Sequence, residues 1–502
     1  MGVEDLFSRN QERKKRVITL EDHAVGRRKA RKNPGMFYLG RDLESCDSIF
    51  LSDDARKKHM HIVGGSGSGK SSFMESLAYH DLERGRGVVF ISGKGDTTTR
   101  DTLYGFAKFL GREKDFRYFS LIHPEISHTW SPFVRGSATQ VKDKLIGSIL
   151  WSEPYYKKTS EDAVQTIMMA VFDAGMRCTF QDLDIFLSEK QSVEYLLQRV
   201  KNPIVRRSLQ KYKTHFEKNL KEMRGFSVDI NLLITSEFGQ LFDTVNPDID
   251  FIRAYEENQI VYLELNVRGL SETCRRIGRM LLKDLAFASD YFDTHSSLTK
   301  RKFFPCYVDE LDSFYHHDFG AFASQSRSSG FALTLGHQSF SGNLKEYGPG
   351  ALNEIIDNTN ISIMMTQRAN ESVEQAANIS GTKKVVSESY QTEEKQQFLM
   401  NKKSPTGQGN IFLKNEYNID PNAIRSLQTG EAYCVVSEPP MQHLIMLNYV
   451  PPLPLDGDFP KIDIKTSELF KRLPLPNFTD PNPTFKKAKV RKQPPPPSQP
   501  NS

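Results

Sequence analysis

Short apolar runs alternate with helical patterns through the middle of the chain. Between the runs, apolar residues recur at the three- and four-residue spacing of one helix face. An alternation of this kind predicts an α/β fold with a mostly parallel sheet flanked by helices. The predicted strands are residues 61–64, 88–92, 260–265, 304–308, 331–335, 361–366 and 432–436.

One long segment, residues 159–236, lacks strand-like runs and has helical spacing instead. Apolar side chains occupy the i, i+3, i+4 and i+7 positions that begin at Val164, and the same spacing repeats from Val193. We therefore predict an all-α domain inserted into the α/β domain, whose two parts are residues 37–158 and 237–450.

The two ends of the chain differ in composition from the middle. Residues 1–36 are polar and basic, and residues 451–502 are rich in proline, with four consecutive prolines at 494–497. We expect the first segment to be flexible and the second to be an extended, disordered tail.

Charge and cysteine content narrow the class of protein. The chain of 502 residues has a formal net charge of +5, and its bases cluster at residues 27–32, 201–224 and 486–492. Each cluster could contact a polyanion or form a solvated surface.

The five cysteines are far apart without metal-binding spacing, and no apolar run is long enough to cross a membrane. We expect a cytoplasmic protein.

A phosphate-binding motif follows the first predicted strand. Residues 64–71 read GGSGSGKS and match G-x-x-x-x-G-K-[ST], and a helical pattern comes directly after them. In this context backbone N–H groups and a helix N-terminus hold phosphates. Lys70 is expected to reach the β- and γ-phosphates, and Ser71 to ligate Mg²⁺. The predicted nucleotide-binding residues are Gly64, Gly65, Ser66, Gly67, Ser68, Gly69, Lys70, Ser71 and Ser72.

Acidic and polar side chains follow two later strands. Asp309 is expected to hold Mg²⁺, directly or through water, and the adjacent Glu310 to polarise an attacking water. Such a glutamate distinguishes a hydrolytic motor from a P-loop kinase or GTPase, although an acidic pair can also end a strand in solvent. Gln338 could sense the γ-phosphate at the end of its strand. Arg327 could serve as an arginine finger for a neighbouring subunit, or could simply be exposed.

Further motifs occur in order between residues 37 and 450. They are FYLGRDLE, GKGD, WSPF, YVDEL, R-x-x-G, NISGT and LQTGEA, which begin at residues 37, 93, 130, 307, 327, 378 and 427. Together with the phosphate-binding motif they resemble the coupling-protein ATPases of type IV secretion and conjugation. That family is the TraD/TraG type, within the larger group that contains HerA and FtsK.

The resemblance implies a RecA-like P-loop domain with an inserted all-α domain. It further implies a homohexameric ring that holds ATP and Mg²⁺ between subunits and hydrolyses ATP. The implied task is delivery of DNA, expected to be a relaxase-bound single strand, or of protein substrates, to a type IV secretion channel. Residue by residue, the resemblance assigns phosphate and Mg²⁺ binding to Lys70 and Ser71, the acidic pair to Asp309 and Glu310, the finger to Arg327 and the sensor to Gln338.

Two departures from the family pattern leave questions open. Most relatives begin with transmembrane helices, whereas no such segment is expected here, which a separate membrane-anchor protein or a soluble subgroup of the family would explain. The expected location is the cytoplasm, with a peripheral position at the inner face of the cell membrane as an option. Ser92-Gly93-Lys94 stands where relatives often have Asp-Pro-Lys, which leaves the role of Lys94 unassigned. The alternative functions are a double-strand DNA pump of the HerA/FtsK or packaging type, and a nucleotide-binding substrate receptor with incidental ATP turnover.

Overall fold

The computed structural model describes residues 17–340, 344, 347, 348, 350–395, 402–455, 459, 460 and 475. The described residues divide into two compact units. The described residues within 1–132, 147–149 and 247–465 form an α/β unit. Residues 133–146 and 150–246 form a helical unit. The helical unit is thus wider at both ends than the segment 159–236 that helical spacing indicates.

Strands are numbered β1 to β13 along the chain, with their bounds at the end of this paragraph. Among the described residues, eleven of them form the sheet of the α/β unit in the order β2-β1-β13-β12-β9-β3-β8-β7-β4-β6-β5, and β10 and β11 pair with each other. From β9 to β5 each strand is parallel to its neighbour, and the pairs from β2 to β9 are antiparallel. The mostly parallel sheet and all the predicted strands are therefore present. The strands are β1 (Met36–Asp42), β2 (Ser48–Ser52), β3 (Met60–Val63), β4 (Val88–Ser92), β5 (Phe116–Ser120), β6 (Ile260–Glu264), β7 (Phe304–Asp309), β8 (Phe331–His337), β9 (Ile361–Met364), β10 (Thr382–Lys395), β11 (Lys402–Tyr417), β12 (Glu431–Val436) and β13 (Met441–Leu447).

Helices surround the sheet and also make up the second unit. Helices α5 to α11 belong to the helical unit, and the apolar stripe that begins at Val164 is buried there. No helix among the described residues is long and apolar enough to cross a membrane. The helices are α1 (Leu20–Arg31), α2 (Asp53–Lys57), α3 (Lys70–Glu83), α4 (Thr97–Phe109), α5 (Ala138–Ile146), α6 (Pro154–Asp173), α7 (Phe180–Ser188), α8 (Lys190–Leu197), α9 (Pro203–Thr214), α10 (Phe216–Glu222), α11 (Arg224–Ile234), α12 (Phe251–Glu257), α13 (Ser271–His295), α14 (Phe319–Ser329), α15 (Gly350–Asp357), α16 (Asn370–Ser380) and α17 (Pro421–Arg425).

A buried ion pair ties the phosphate-loop helix to the sheet. The guanidinium of Arg56 on α2 donates two hydrogen bonds of 2.9 Å to the carboxylate of Asp81 on α3. The Tyr307 hydroxyl on β7 donates to the same carboxylate over 2.5 Å. Burial alone would raise the pKa of Asp81, but the positive charge of Arg56 outweighs it and holds this pKa well below its usual range. The three groups therefore fix α3 against β7.

The expectation of a flexible segment over residues 1–36 is wrong for α1. The hydroxyl of Thr19 accepts a hydrogen bond from the Asp22 N–H, and the Asp22 carboxylate accepts one from the Thr19 N–H, which makes a capping box. His23 and Ala30 on the helix are buried. The basic residue Arg27 donates a 2.8 Å hydrogen bond to Asn448, so part of the first basic cluster holds the helix on the sheet.

The beginning of the segment 451–502, expected to be an extended tail, contacts the α/β unit. Leu453, Leu455 and Phe459 pack against the apolar core of the α/β unit. The Phe459 ring lies 4.9 Å from the ring of Tyr104 between centroids, and the Arg100 guanidinium stacks over it. Most of the remaining predicted tail, including the basic cluster 486–492, lies outside the described residues.

Candidate nucleotide-binding site

The phosphate-binding motif forms a tight loop between β3 and α3. Gly67 and Gly69 have φ values of 79° and 96°, the left-handed region that glycine adopts without a steric penalty. A Cβ atom at Gly64 would lie 2.5 Å from the Ser68 hydroxyl oxygen and 3.0 Å from the Met365 Cβ, so a side chain here would force Ser68 to move. The N–H of Gly64 is held by the carbonyl of His337 on β8 at 3.2 Å. The motif thus curls its backbone around the N-terminus of α3.

A second segment holds the same loop from outside. The Gly430 N–H donates to the Ser68 carbonyl over 3.0 Å, and the Thr429 hydroxyl donates to the Gly67 carbonyl over 3.1 Å. Both residues belong to the LQTGEA motif, which begins at residue 427. The LQTGEA motif therefore holds two carbonyl groups of the phosphate loop in place.

Asp309 lies at the carboxyl end of β7, beside the N-terminus of α3. The Lys70 ammonium pairs with its Oδ1, and the Ser71 hydroxyl donates to its Oδ2 over 2.7 Å. The Lys94 ammonium lies 3.3 Å from Oδ2 and also donates to the Ser71 hydroxyl. Burial alone would raise the pKa of Asp309, but the two ammonium groups outweigh it and lower this pKa to about 2. Asp309 is therefore a carboxylate at neutral pH.

Glu310 adopts a strained backbone next to this cluster. Its φ of 64° and ψ of 45° lie in the left-handed region, which costs a non-glycine residue about 1 to 3 kcal/mol. Its Oε1 accepts a 3.0 Å hydrogen bond from the Gln338 amide. Its Oε2 would lie 3.1 Å from a Cβ at Gly93, so glycine at that position leaves room for the carboxylate. The structure thus places Glu310 and Gln338 together, as a base and its positioning partner would be.

Arg327 lies at the amino ends of the parallel strands, and the phosphate loop lies at their carboxyl ends. It sits on α14, just before β8 begins, and donates a 2.9 Å hydrogen bond to the carbonyl of Asn358, just before β9 begins. The phosphate loop follows the carboxyl end of β3, which is parallel to both strands. Arg327 therefore does not reach the phosphate loop of its own chain, and its role as a finger for a neighbouring subunit stays a prediction.

The cavity over the phosphate loop contains two cations that sequence reasoning left out of the site, Lys94 and Arg268. Each follows the carboxyl end of a parallel strand, β4 and β6, where ligands of such sheets bind. This rule marks both residues as candidates, but only the order of the strands in the sheet brings them to the phosphate loop. The cavity has a volume of about 210 Å³. It is lined by Gly64, Gly65, Ser66, Gly67, Gly69, Lys70, Ser71, Ser72, Lys94, Arg268, Glu310 and Gln338.

The donors in this cavity fit a nucleotide with its magnesium ion. The Ser71 hydroxyl and the Asp309 carboxylate are hard oxygen ligands of the kind Mg²⁺ prefers, and they already lie within 2.7 Å of each other. The glycine loop leaves room for phosphate oxygens, and Lys70 supplies a positive charge at its end. What the arrangement can do chemically is bind a phosphate chain and present a carboxylate, Glu310, to it.

Comparison with known proteins agrees with this geometry. Residues 304–428 match the family model for the TraM recognition site of TraD and TraG. Over 127 residues the chain is 29% identical to the type 4 coupling protein DotL of Legionella pneumophila subsp. pneumophila (strain Philadelphia 1). This alignment covers 23% of this chain and 16% of DotL. The resemblance to type IV coupling proteins is confirmed. The match includes only a small part of the length of DotL, so it extends to a segment and not to that whole protein.

Solved structures confirm the fold over most of the chain. The bacterial conjugative coupling protein TrwBΔN70 is similar with a TM-score of 0.56 at 15% identity, over 89% of this chain and 95% of that chain. VirB4 of Thermoanaerobacter pseudethanolicus is similar with a TM-score of 0.53 at 14% identity, over 84% and 98%. The RecA-like P-loop fold that the family resemblance implies is therefore confirmed. TrwB has also been solved in complex with ADP and Mg²⁺.

Proposed function

We propose that the chain is an Mg²⁺-dependent ATPase that acts as a type IV coupling protein and drives DNA toward a secretion or conjugation channel. The observation that supports this most is the meeting of Lys70, Asp309 and Glu310 at one edge of the sheet. A protein that only binds nucleotide needs a carboxylate for the metal, such as Asp309, but it has no need of a second one, Glu310, held beside it on a strained backbone. The ADP and Mg²⁺ complex of TrwB, which shares this fold, supports the choice of ligand.

Each residue of the site has a defined task in this proposal. Lys70 and the glycine loop hold the β- and γ-phosphates, and Ser71 and Asp309 hold the ion. Bound Mg²⁺ would neutralise charge on the phosphoryl group being transferred. Glu310 orients a water and accepts its proton, and the hydrogen bond from Gln338 fixes the direction of the Glu310 carboxylate.

The proposed assembly is a homohexameric ring with ATP between subunits. Arg327 would then act as an arginine finger on the nucleotide of the adjacent copy, since it lies at the edge of the sheet away from its own phosphate loop. A secretion channel, a relaxase bound to single-stranded DNA and a separate membrane-anchor protein would be the partners, which would bring the chain to the inner face of the cell membrane. These partners rest on the resemblance to coupling proteins.

The basic cluster 201–224 is a candidate contact for DNA. All of its eight bases except Lys201 lie on α9, α10 and α11, and seven of the eight are exposed. The exception, Lys213, pairs with Glu194. Contacts of this kind to phosphates carry little sequence preference and weaken steeply with added salt.

The catalytic assignment is tested by ATP turnover of Glu310→Gln. This change keeps the size of the side chain and removes its ability to accept a proton. We expect the rate to fall by about 100-fold or more while nucleotide binding is retained. The matched control is Glu113→Gln, which makes the same change at an exposed position before β5. Turnover by Glu310→Gln at the parent rate would remove Glu310 from the mechanism.

The alternatives are separated by two further measurements. Stimulation of ATP turnover by single-stranded DNA above that by double-stranded DNA supports a coupling protein, and the reverse order supports a double-strand pump. If transfer of DNA persists with Lys70→Ala, which cannot hold the phosphates, the chain is a substrate receptor and the ATP turnover is incidental.

A further inference from the structure

Asp309 has its hydrogen-bonding capacity filled by protein groups. Its Oδ1 accepts from the Lys70 ammonium and, over 3.1 Å, from the Glu310 N–H. Its Oδ2 accepts from the Ser71 hydroxyl over 2.7 Å and faces the Lys94 ammonium at 3.3 Å. An ion that binds Asp309 must therefore displace at least one of these four groups.

Lys94 is the group that stands where the ion has to go. It donates to the Ser71 hydroxyl oxygen and pairs with Oδ2 of Asp309, so it touches both side chains that are expected to ligate Mg²⁺. Mg²⁺ lies about 2.1 Å from its oxygen ligands and needs their lone pairs. Lys94 engages one of the two lone pairs of the Ser71 hydroxyl oxygen and also pairs with Oδ2 of Asp309, so it lies between the two oxygens that the ion would bridge. An ammonium and a divalent ion cannot both occupy this position.

The fold lets Lys94 move more easily than Lys70. The Lys94 side chain is 29% exposed, whereas that of Lys70 is 5% exposed. The backbone that carries Lys94 is fixed, because the Val267 N–H donates to the Gly93 carbonyl over 3.1 Å. A Cβ at Gly95 would lie 2.7 Å from the Asn266 side chain, so the backbone after Lys94 packs closely against the segment that follows β6. The movement required is therefore a rotation of the long side chain toward solvent.

We propose that Lys94 is an internal cation that fills the Mg²⁺ position of the nucleotide-free site and is displaced when Mg²⁺ binds together with the nucleotide. The proposal rests on the function proposed above and concerns the regulation of the same site. Lys94 keeps Asp309 compensated while the site is empty, and it competes with the ion for Ser71 and Asp309. The concentration of Mg²⁺ needed for tight nucleotide binding is thus set partly by this one side chain.

The test is a titration of Mg²⁺ at a fixed concentration of a fluorescent ADP analogue, read by fluorescence anisotropy. In Lys94→Met, which keeps the length of the side chain and removes its charge, we expect the half-saturating Mg²⁺ concentration to fall by about tenfold. Lys94→Arg retains the charge and should stay close to the parent. The matched control is Lys108→Met, at an exposed position on α4, which should also stay close to the parent.

Two results distinguish failure of this inference from failure of the proposed function. If the parent binds the analogue and Lys94→Met needs as much Mg²⁺ as the parent, or more, Lys94 does not compete with the ion. A higher requirement would indicate that Lys94 contacts the phosphates instead. If the parent binds no analogue at any Mg²⁺ concentration, the proposed nucleotide-binding function itself is wrong. Circular dichroism of each variant verifies that it is folded.

Discussion

Glu75 provides a quantitative test of the electrostatics around the phosphate-loop helix. It lies on α3, is 7% exposed, and accepts a 2.7 Å hydrogen bond from the Thr99 hydroxyl on α4. Burial raises its pKa from 4.5 to about 7, against the opposing effects of the Thr99 hydrogen bond and the charge of Lys94. The folded protein thus holds a proton on Glu75 at pH values where the unfolded chain has released it.

The sign and size of the effect follow from these two pKa values. Because the folded-state pKa is the higher one, this contribution to stability is fully present below pH 4.5 and is lost as the pH rises through about 7. The gap corresponds to about 3 kcal/mol, at about 1.4 kcal/mol per pKa unit. Glu75→Gln has no charge to bury at any pH, and its amide oxygen can still accept the Thr99 hydrogen bond. Its stability relative to the parent should therefore rise by about 2 to 3 kcal/mol between pH 5 and pH 8.5.

The assay is denaturant unfolding followed by tryptophan fluorescence at both pH values. The chain has two tryptophans. Trp130 belongs to the α/β unit and Trp151 to the helical unit, so a Trp151→Phe background leaves only the reporter of the α/β unit. Glu113→Gln in the same background is the control for loss of an exposed carboxylate. A difference between Glu75→Gln and the parent that is the same at pH 5 and pH 8.5 would refute the reasoning.

Three further predictions concern the support of the site. Asp81→Ala leaves the buried Arg56 guanidinium with the Tyr307 hydroxyl but without the carboxylate that balances its charge, and should lower the free energy of unfolding by about 3 to 5 kcal/mol, measured by denaturant unfolding. Thr429→Val removes the hydrogen bond to the Gly67 carbonyl and should weaken nucleotide binding by about 5- to 10-fold, as expected for one hydrogen bond of about 1 kcal/mol, with little change in melting temperature; an unchanged Kd would contradict it. Gly336→Ala would place a methyl group 3.1 Å from Oδ1 of Asp309, the last residue of β7. It should cost about 1 to 3 kcal/mol in nucleotide binding, measured by calorimetry, and parent-like affinity would show that the site can relax.

Six of the seven strands that the sequence predicted are buried at every position. Val88–Ser92 and Phe304–Asp309 are buried at every position, so each reads as an unbroken apolar run. The strands that were missed have mixed patterns. Met441–Leu447 is only half-buried along most of its length, and Thr382–Lys395 carries many charged residues, so neither forms an apolar run. Each pairs in antiparallel fashion with a strand that is its neighbour along the chain, and a search for apolar runs does not detect such hairpins.

The helix Leu20–Arg31 was missed for a related reason. Most of its residues are polar, and polar side-chain contacts hold it against the sheet and against α3. A Cβ at Gly26 would lie 2.4 Å from the ring of Tyr38, so the helix approaches β1 closely only because that residue is glycine. His23 adds a 3.0 Å hydrogen bond to the hydroxyl of Tyr38. A short polar helix of this kind is defined by the surface it contacts and not by its own periodicity.

The core of the candidate site could be predicted because its motifs are local. The phosphate loop is one continuous segment, and Asp309 directly follows an apolar strand. Lys94 and Arg268 could not be placed in this way, because their positions depend on sheet order. Strand β4 lies between β7 and β6, although long segments of chain separate the three. Only the folded sheet brings those two cations over the phosphate loop.

The central claim is that ATP hydrolysis at this site moves DNA. The most direct measurement is displacement of streptavidin from the biotinylated end of a single-stranded oligonucleotide by the purified full chain. The account predicts displacement with ATP and Mg²⁺, none with ADP, and none with Glu310→Gln. Equal displacement by the parent and Glu310→Gln, or no displacement by a parent that turns over ATP regardless of DNA, would contradict it.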